Sequence, residues 1–133
     1  MSDISTGAVN HIALTVTDKD RAREFYIGVL GFKFVMEAGP KYLLSNGAAI
    51  LALGLPPDTQ RTLTNDRFDE NRVGLDHLSF DVSNREELER AAQALDKLGI
   101  SRGEIEDLSD LGIYVLAFRD PDNIQLELTA PKS

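Results

Sequence analysis

Two stretches of the chain, residues 9–17 and 75–83, alternate apolar and polar positions in the same way. In the first, Ile12, Leu14 and Val16 fall on one side of an extended segment and His11, Ala13 and Thr15 on the other. In the second, Leu78, Phe80 and Val82 oppose His77, Ser79 and Asp81. Successive side chains of a strand point to opposite faces, so each stretch predicts a strand with one buried face and a His at its third position. A helical period follows each strand. Ala22, Phe25, Tyr26, Val29 and Leu30 recur at the spacing of one helical face, with Asp18 as candidate N-cap and Gly31 closing the pattern. Leu88, Ala91, Ala92, Leu95 and Leu98 do the same after Ser83 and Glu86, which have capping-box spacing, and Gly99 closes that helix.

Short strands come next in both halves. The first half predicts them over residues 32–38, 41–44 and 48–53, with Asn46-Gly47 as a hairpin turn. The second half predicts 102–107, 112–118 and 124–129, with Asp120-Pro121-Asp122-Asn123 as the turn before the last. The unit is β-α-β-β-β, twice, and the matched order of elements marks a duplication. The fold class is α+β, two tandem βαβββ modules over about residues 8–54 and 74–130 within one domain spanning 1–133. Residues 55–73 carry Pro56-Pro57 and many polar groups; the segment is long for a structureless connection and reads as a linker or lid.

Composition narrows the class. At 133 residues, 42% apolar and 27% charged, the chain has ordinary globular make-up and enough length for a core. The absence of Cys excludes disulfides, thiolate metal sites and a Cys nucleophile. A formal net charge of −8 argues against a nucleic-acid grip, which needs clustered Lys and Arg. The polar start, residues 1–7, lacks a signal-peptide layout, and no apolar run approaches the roughly 20 residues of a membrane span. The expectation is a cytoplasmic protein with neither membrane nor nucleic acid as partner.

The candidate chemistry lies on the polar faces. The last predicted strand sets Gln125, Glu127 and Thr129 against Ile124, Leu126 and Leu128, so three strands of matching parity carry both histidines of the chain and one carboxylate. The pattern leaves two readings open. A sheet with one solvated face shows the same alternation, which suffices for Thr15, Ser79 and Gln125. A metal site is the other reading, for His11, His77 and Glu127. Two imidazoles and one carboxylate suit Fe, Mn, Zn or Ni and leave open positions for Lewis-acid activation of a substrate oxygen.

Four segments then give the chain its likeness. Asn10-His11-Ile12-Ala13-Leu14-Thr15-Val16, Phe25-Tyr26-x-x-Val29-Leu30-Gly31-Phe32 and Gly74-Leu75-Asp76-His77-Leu78-Ser79-Phe80 come first. The fourth is Phe118-Arg119-Asp120-Pro121-Asp122-Asn123-Ile124-Gln125-Leu126-Glu127-Leu128. In order and spacing they resemble the vicinal oxygen chelate superfamily of glyoxalase I, type I extradiol dioxygenases, fosfomycin-resistance enzymes and bleomycin-binding proteins. The resemblance implies paired modules forming a half-barrel cup around one divalent metal ion, with ligands at His11, His77 and Glu127. It also implies a small-molecule substrate chelated through adjacent oxygens, and a homodimer whose site is intrachain or shared between subunits.

Departures from the pattern restrict the reaction. Glyoxalase I resembles this arrangement with a fourth ligand on the fourth strand, where this chain has Ala52, or Leu51 one residue earlier. Fosfomycin transferases carry basic and hydroxyl residues on the seventh strand, where the inferred inner face here is Ile113, Val115 and Ala117. Extradiol enzymes use a further acid-base His, and this chain has only two. The expectation is a metal-dependent oxygenase or a lyase/isomerase. The alternative is a bleomycin-resistance-like binding protein without catalysis. Substrate-pocket candidates are Thr15, Ala52, Ser79, Asp81, Val115 and Gln125. Tyr114 and the acidic loop 103–111, with Glu104, Glu106, Asp107 and Asp110, read as packing and solvated surface.

Overall fold

The computed structural model describes residues 2–133; Met1, the first residue of the polar start, lies outside them. The chain forms two compact units, one ending at Thr64 and the other spanning Asn65–Ser133.

The first unit runs β1 (Ile12–Thr15), α1 (Lys19–Gly28), β2 (Lys33–Ala38), β3 (Lys41–Ser45) and β4 (Ile50–Gly54). Its sheet order is β1-β4-β3-β2, with β1 parallel to β4 and the other pairs antiparallel. A hairpin cannot join parallel neighbours, so α1 and the β2–β3 hairpin intervene between β1 and β4. Leu14, Val16, Leu51 and Leu53 bury their side chains with Ala22 and Tyr26 of α1. Asp18 caps α1 as expected, accepting the Arg21 N–H at 3.0 Å. Regular helix ends earlier than the apolar period suggests. Val29 and Leu30 are half-buried in the closing turn, where Gly31 (φ +74°) lets the Phe32 N–H return to the Tyr26 carbonyl. Asn46 closes the β3–β4 turn, its Oδ1 accepting the N–H groups of Ala48 and Ala49.

The second unit repeats this plan with β5 (Leu78–Asp81), α2 (Arg85–Lys97), β6 (Glu106–Leu108), β7 (Ile113–Arg119) and β8 (Gln125–Pro131), in the order β5-β8-β7-β6. Leu88 and Leu95 of α2 are buried, as are Leu116, Leu126 and Leu128 of the sheet. In both units the strand begins one residue after the His. Ile12 pairs with Leu51 and Leu78 with Leu126, and the partner strands start only at Ile50 and Gln125.

The structure departs from three expectations. The N-cap of α2 is Asn84 rather than Ser83: its side chain accepts the Glu87 N–H at 3.0 Å, and Asn caps at least as well as Ser. Leu98 is 57% exposed rather than on the buried face. Gly99 (φ +71°) ends the helix in a Schellman motif, with the Ile100 N–H on the Leu95 carbonyl and the Gly99 N–H on that of Asp96, and half-buried Ile100 replaces Leu98. The strand expected over 102–107 shrinks to β6, because the Arg102 guanidinium reaches back to Asp96 at 2.9 and 3.0 Å and only one backbone bridge, to Phe118, forms there.

The long connection is not a free lid throughout. It holds a 3-10 turn at Thr59–Arg61. Its later part is pinned to the β7–β8 turn: the Phe68 N–H donates to the Asp122 carbonyl, and the Asn123 amide donates to the Phe68 carbonyl at 3.0 Å. Among the described residues no helix is long and apolar enough to cross a membrane.

Candidate functional site

In the second unit the register decides which side chains share a face. Ser79 pairs with Glu127 and Asp81 with Thr129 across β5–β8, while Val115 pairs with Thr129 and Ala117 with Glu127 across β7–β8. Paired residues project on the same side. One face therefore carries Ser79, Asp81, Val115, Gln125, Glu127 and Thr129, and the other carries Leu126 and Leu128. The Ser79 and Thr129 hydroxyls hydrogen-bond each other. Val115 is buried in the floor of this face, whereas Ser79 and Asp81 are exposed.

His77 sits at the entrance to β5, and its Nε2 lies 3.4 Å from Glu127 Oε1. Its other nitrogen, Nδ1, is 2.7 Å from Asp76 Oδ1. A carboxylate only accepts, so Nδ1 carries a proton, and Nε2 faces Glu127. A lone pair and a carboxylate oxygen at that separation repel unless a proton or another cation stands between them. Donors on bonds of about 2.0–2.2 Å in tetrahedral array lie roughly 3.3–3.6 Å apart, so this pair fits two positions of a metal shell. Among the described residues no three His, Cys, Asp or Glu side chains gather into a metal-sized group. His77 and Glu127 are thus the two donors that this unit brings together.

In the first unit His11 precedes β1 as His77 precedes β5, and its Nδ1 lies 2.7 Å from Asn10 Oδ1. Ala13 and Thr15 continue the His11 face and pair with Ala52 and Gly54. The repeat decides between the two candidates for the missing ligand. Two residues after His77 stands Ser79, paired with Glu127; two after His11 stands Ala13, paired with Ala52. Ala52 is the counterpart of Glu127, and Leu51 is wholly buried on the opposite face. A methyl group occupies the place where the second unit has a carboxylate.

Asp120, Asp107 and Tyr114 have structural partners. Asp120 is buried and its Oδ1 accepts from the Asp122 and Ile124 N–H groups at 2.8 Å each, which makes this segment the expected turn. Asp107 pairs with Lys132 at 2.9 Å, and the Ser109 hydroxyl and Lys132 hold its carboxyl below the usual range. Tyr114 packs beneath Arg85 and Lys132. Two features escaped the sequence reading. Arg119 binds Glu70 through both guanidinium nitrogens, at 2.7 and 3.2 Å, a contact between residues far apart in sequence. The Asn10–His11 and Asp76–His77 pairs could have been read directly, since both copies place a side-chain oxygen just before the His.

Residues 8–128 match the Glyoxalase/Bleomycin resistance protein/Dioxygenase superfamily. The chain belongs to that superfamily. It is 31% identical over 128 residues to the uncharacterized protein YwkD of Bacillus subtilis, covering 91% of this chain and 94% of that one. A glyoxylase/bleomycin resistance protein/dioxygenase domain from Frankia sp. EAN1pec superposes with TM-score 0.75 at 31% identity, over 96% of this chain and 93% of the other. A lactoylglutathione lyase from Agrobacterium tumefaciens gives TM-score 0.74 at 25% identity, over 96% of each chain. The α+β arrangement of two tandem modules, each with a four-stranded sheet and one helix, is the glyoxalase fold.

Proposed function

We propose that this chain is a divalent-metal-dependent enzyme that chelates a small, oxygen-rich substrate, with His11, His77 and Glu127 as protein ligands. The observation that carries the reading is the His77 Nε2–Glu127 Oε1 approach of 3.4 Å with Nδ1 held by Asp76. A ring nitrogen and a carboxylate oxygen facing each other at that distance fit two positions around one cation. His11, held in the same way by Asn10, is the third donor of the same chemistry. A bound metal would supply Lewis acidity to a substrate oxygen. The Ser79 and Thr129 hydroxyls beside Glu127 would orient that substrate by hydrogen bonding, and the Val115 floor would keep water from its underside.

Ala52 in the register of Glu127 removes the carboxylate that a fourth-strand proton transfer requires. The reaction is then of oxygenase or lyase/isomerase type, run by a two-His, one-carboxylate set. Similarity to a lactoylglutathione lyase favours the lyase branch, and the Ala52 position favours a substrate other than that of the ordinary enzyme.

Elemental analysis of protein purified without a tag tests the reading. The expected result is close to one equivalent of metal, with a rise in melting temperature on metal addition. Below about 0.1 equivalent, with no such rise, the non-catalytic binding protein becomes the better account. Oxygen uptake on a panel of catechols then separates the branches: iron with uptake supports the oxygenase, another metal without uptake the lyase/isomerase.

A further inference from the structure

The duplicated sites are built alike in shape and unlike in charge. Each His is preceded by a residue whose side-chain oxygen lies 2.7 Å from Nδ1, but that oxygen belongs to a neutral amide at Asn10 and to a carboxylate at Asp76. The repetition of one atom pair at one distance in two units argues for a device rather than a chance contact between neighbours. Adjacent residues in an extended chain normally point apart. Both pairs sit just before the first paired residue of their strand, where the backbone is free to turn the two side chains together.

We propose that Asp76 and Asn10 are positioning residues: each fixes its His as the Nδ1–H tautomer with Nε2 as donor, and the charge of Asp76 makes His77 the stronger of two unequal ligands. The inference rests on the metal reading above and adds which ligand leads and what makes it lead. An oxygen accepting from Nδ1–H sets the plane of the ring, and a charged acceptor raises the electron density at Nε2 more than an amide does. His77 is therefore the anchor of the site with Glu127, and His11 the weaker, more exchangeable ligand. Asp76 is largely exposed, so its replacement leaves the core packing intact.

The chain has only two histidines, so long-range proton–nitrogen spectra of the metal-free protein resolve both rings. With both rings neutral, the unsubstituted protein should show both as Nδ1–H. Asp76→Ala should return His77 to the Nε2–H form preferred by free imidazole and leave His11 unchanged; Asn10→Ala should do the reverse. Asp76→Asn should keep the Nδ1–H form yet weaken binding of Zn2+ alone by about tenfold, and Asn10→Asp should strengthen it. His77 remaining Nδ1–H in Asp76→Ala, or unchanged Zn2+ affinity in Asp76→Asn, would overturn the proposal. Failure of the unsubstituted protein to take up Zn2+ overturns the metal reading instead, and the metal-free spectra still decide the tautomer claim.

Discussion

Glu127 is half-buried and its carboxylate faces His77. Its side chain is 17% exposed, its nearest ring nitrogen is 3.4 Å away, and the guanidinium on the same sheet face, Arg119, is engaged by Glu70. Glu127→Gln should accordingly leave metal-free stability within about 0.5 kcal/mol of the parent, as for a substitution that breaks no favourable pair. The same substitution should remove most of the rise in melting temperature produced by metal. A large loss of metal-free stability would instead give Glu127 a structural role. Asp120, seven residues earlier, behaves in the opposite way. It is buried, and one oxygen satisfies two backbone N–H groups. Removing an acceptor from buried donors costs about 1–3 kcal/mol, so Asp120→Ala should lower stability by that order in denaturant unfolding. Asp120→Asn, which retains the accepting oxygen, should cost less.

At the scale of elements, the β7–β8 hairpin carries Glu127 and is braced from outside by the segment that includes Phe68 and Glu70. Arg119 holds the Glu70 carboxyl below its ordinary value of 4.5. A carboxyl whose folded-state value is depressed contributes stability above the unfolded value, and loses it as pH falls through the folded one. Glu70→Gln should therefore lower stability at pH 7 and flatten the acid limb below about pH 4.5, where the parent loses this contribution and the two proteins converge. An unaltered acid limb would show that the brace does not contribute. This brace was not legible in the sequence, because nothing local links Glu70 to Arg119. The strands and helices were legible where period and caps agreed, as in α1 with Asp18 and in the alternation of β1, β5 and β8. Reading failed where a local hydrogen bond overrode the period. Asn84 took the cap from Ser83, the Schellman turn removed Leu98 from the face, and Arg102 left the ladder for Asp96. Parity, with the His repeated by duplication, is what selects the candidate ligands proposed above. Choosing Ala52 over Leu51 required the strand register.

At the scale of the whole molecule, two of the proposed ligands, His77 and Glu127, belong to the second unit and His11 to the first. The proposed ligand set is either intrachain or shared across a dimer. Mixing a His11→Ala chain with a Glu127→Ala chain distinguishes these arrangements. In shared sites, half of the sites in a mixed dimer regain all three ligands, and metal binding returns on mixing. In intrachain sites every chain lacks one ligand, and mixing restores nothing. We expect recovery only if sedimentation or light scattering also shows a dimer, since exchange of units requires one.

The central claim is that His11, His77 and Glu127 together hold a divalent ion. Its most direct test is a Zn2+ titration of metal-free protein by calorimetry, run for the parent and for each of His11→Ala, His77→Ala and Glu127→Ala. The account predicts one ion per ligand set in the parent, with affinity falling at least tenfold in every variant and most in His77→Ala. Parent-like binding in any of the three, or no binding by the parent, would contradict it.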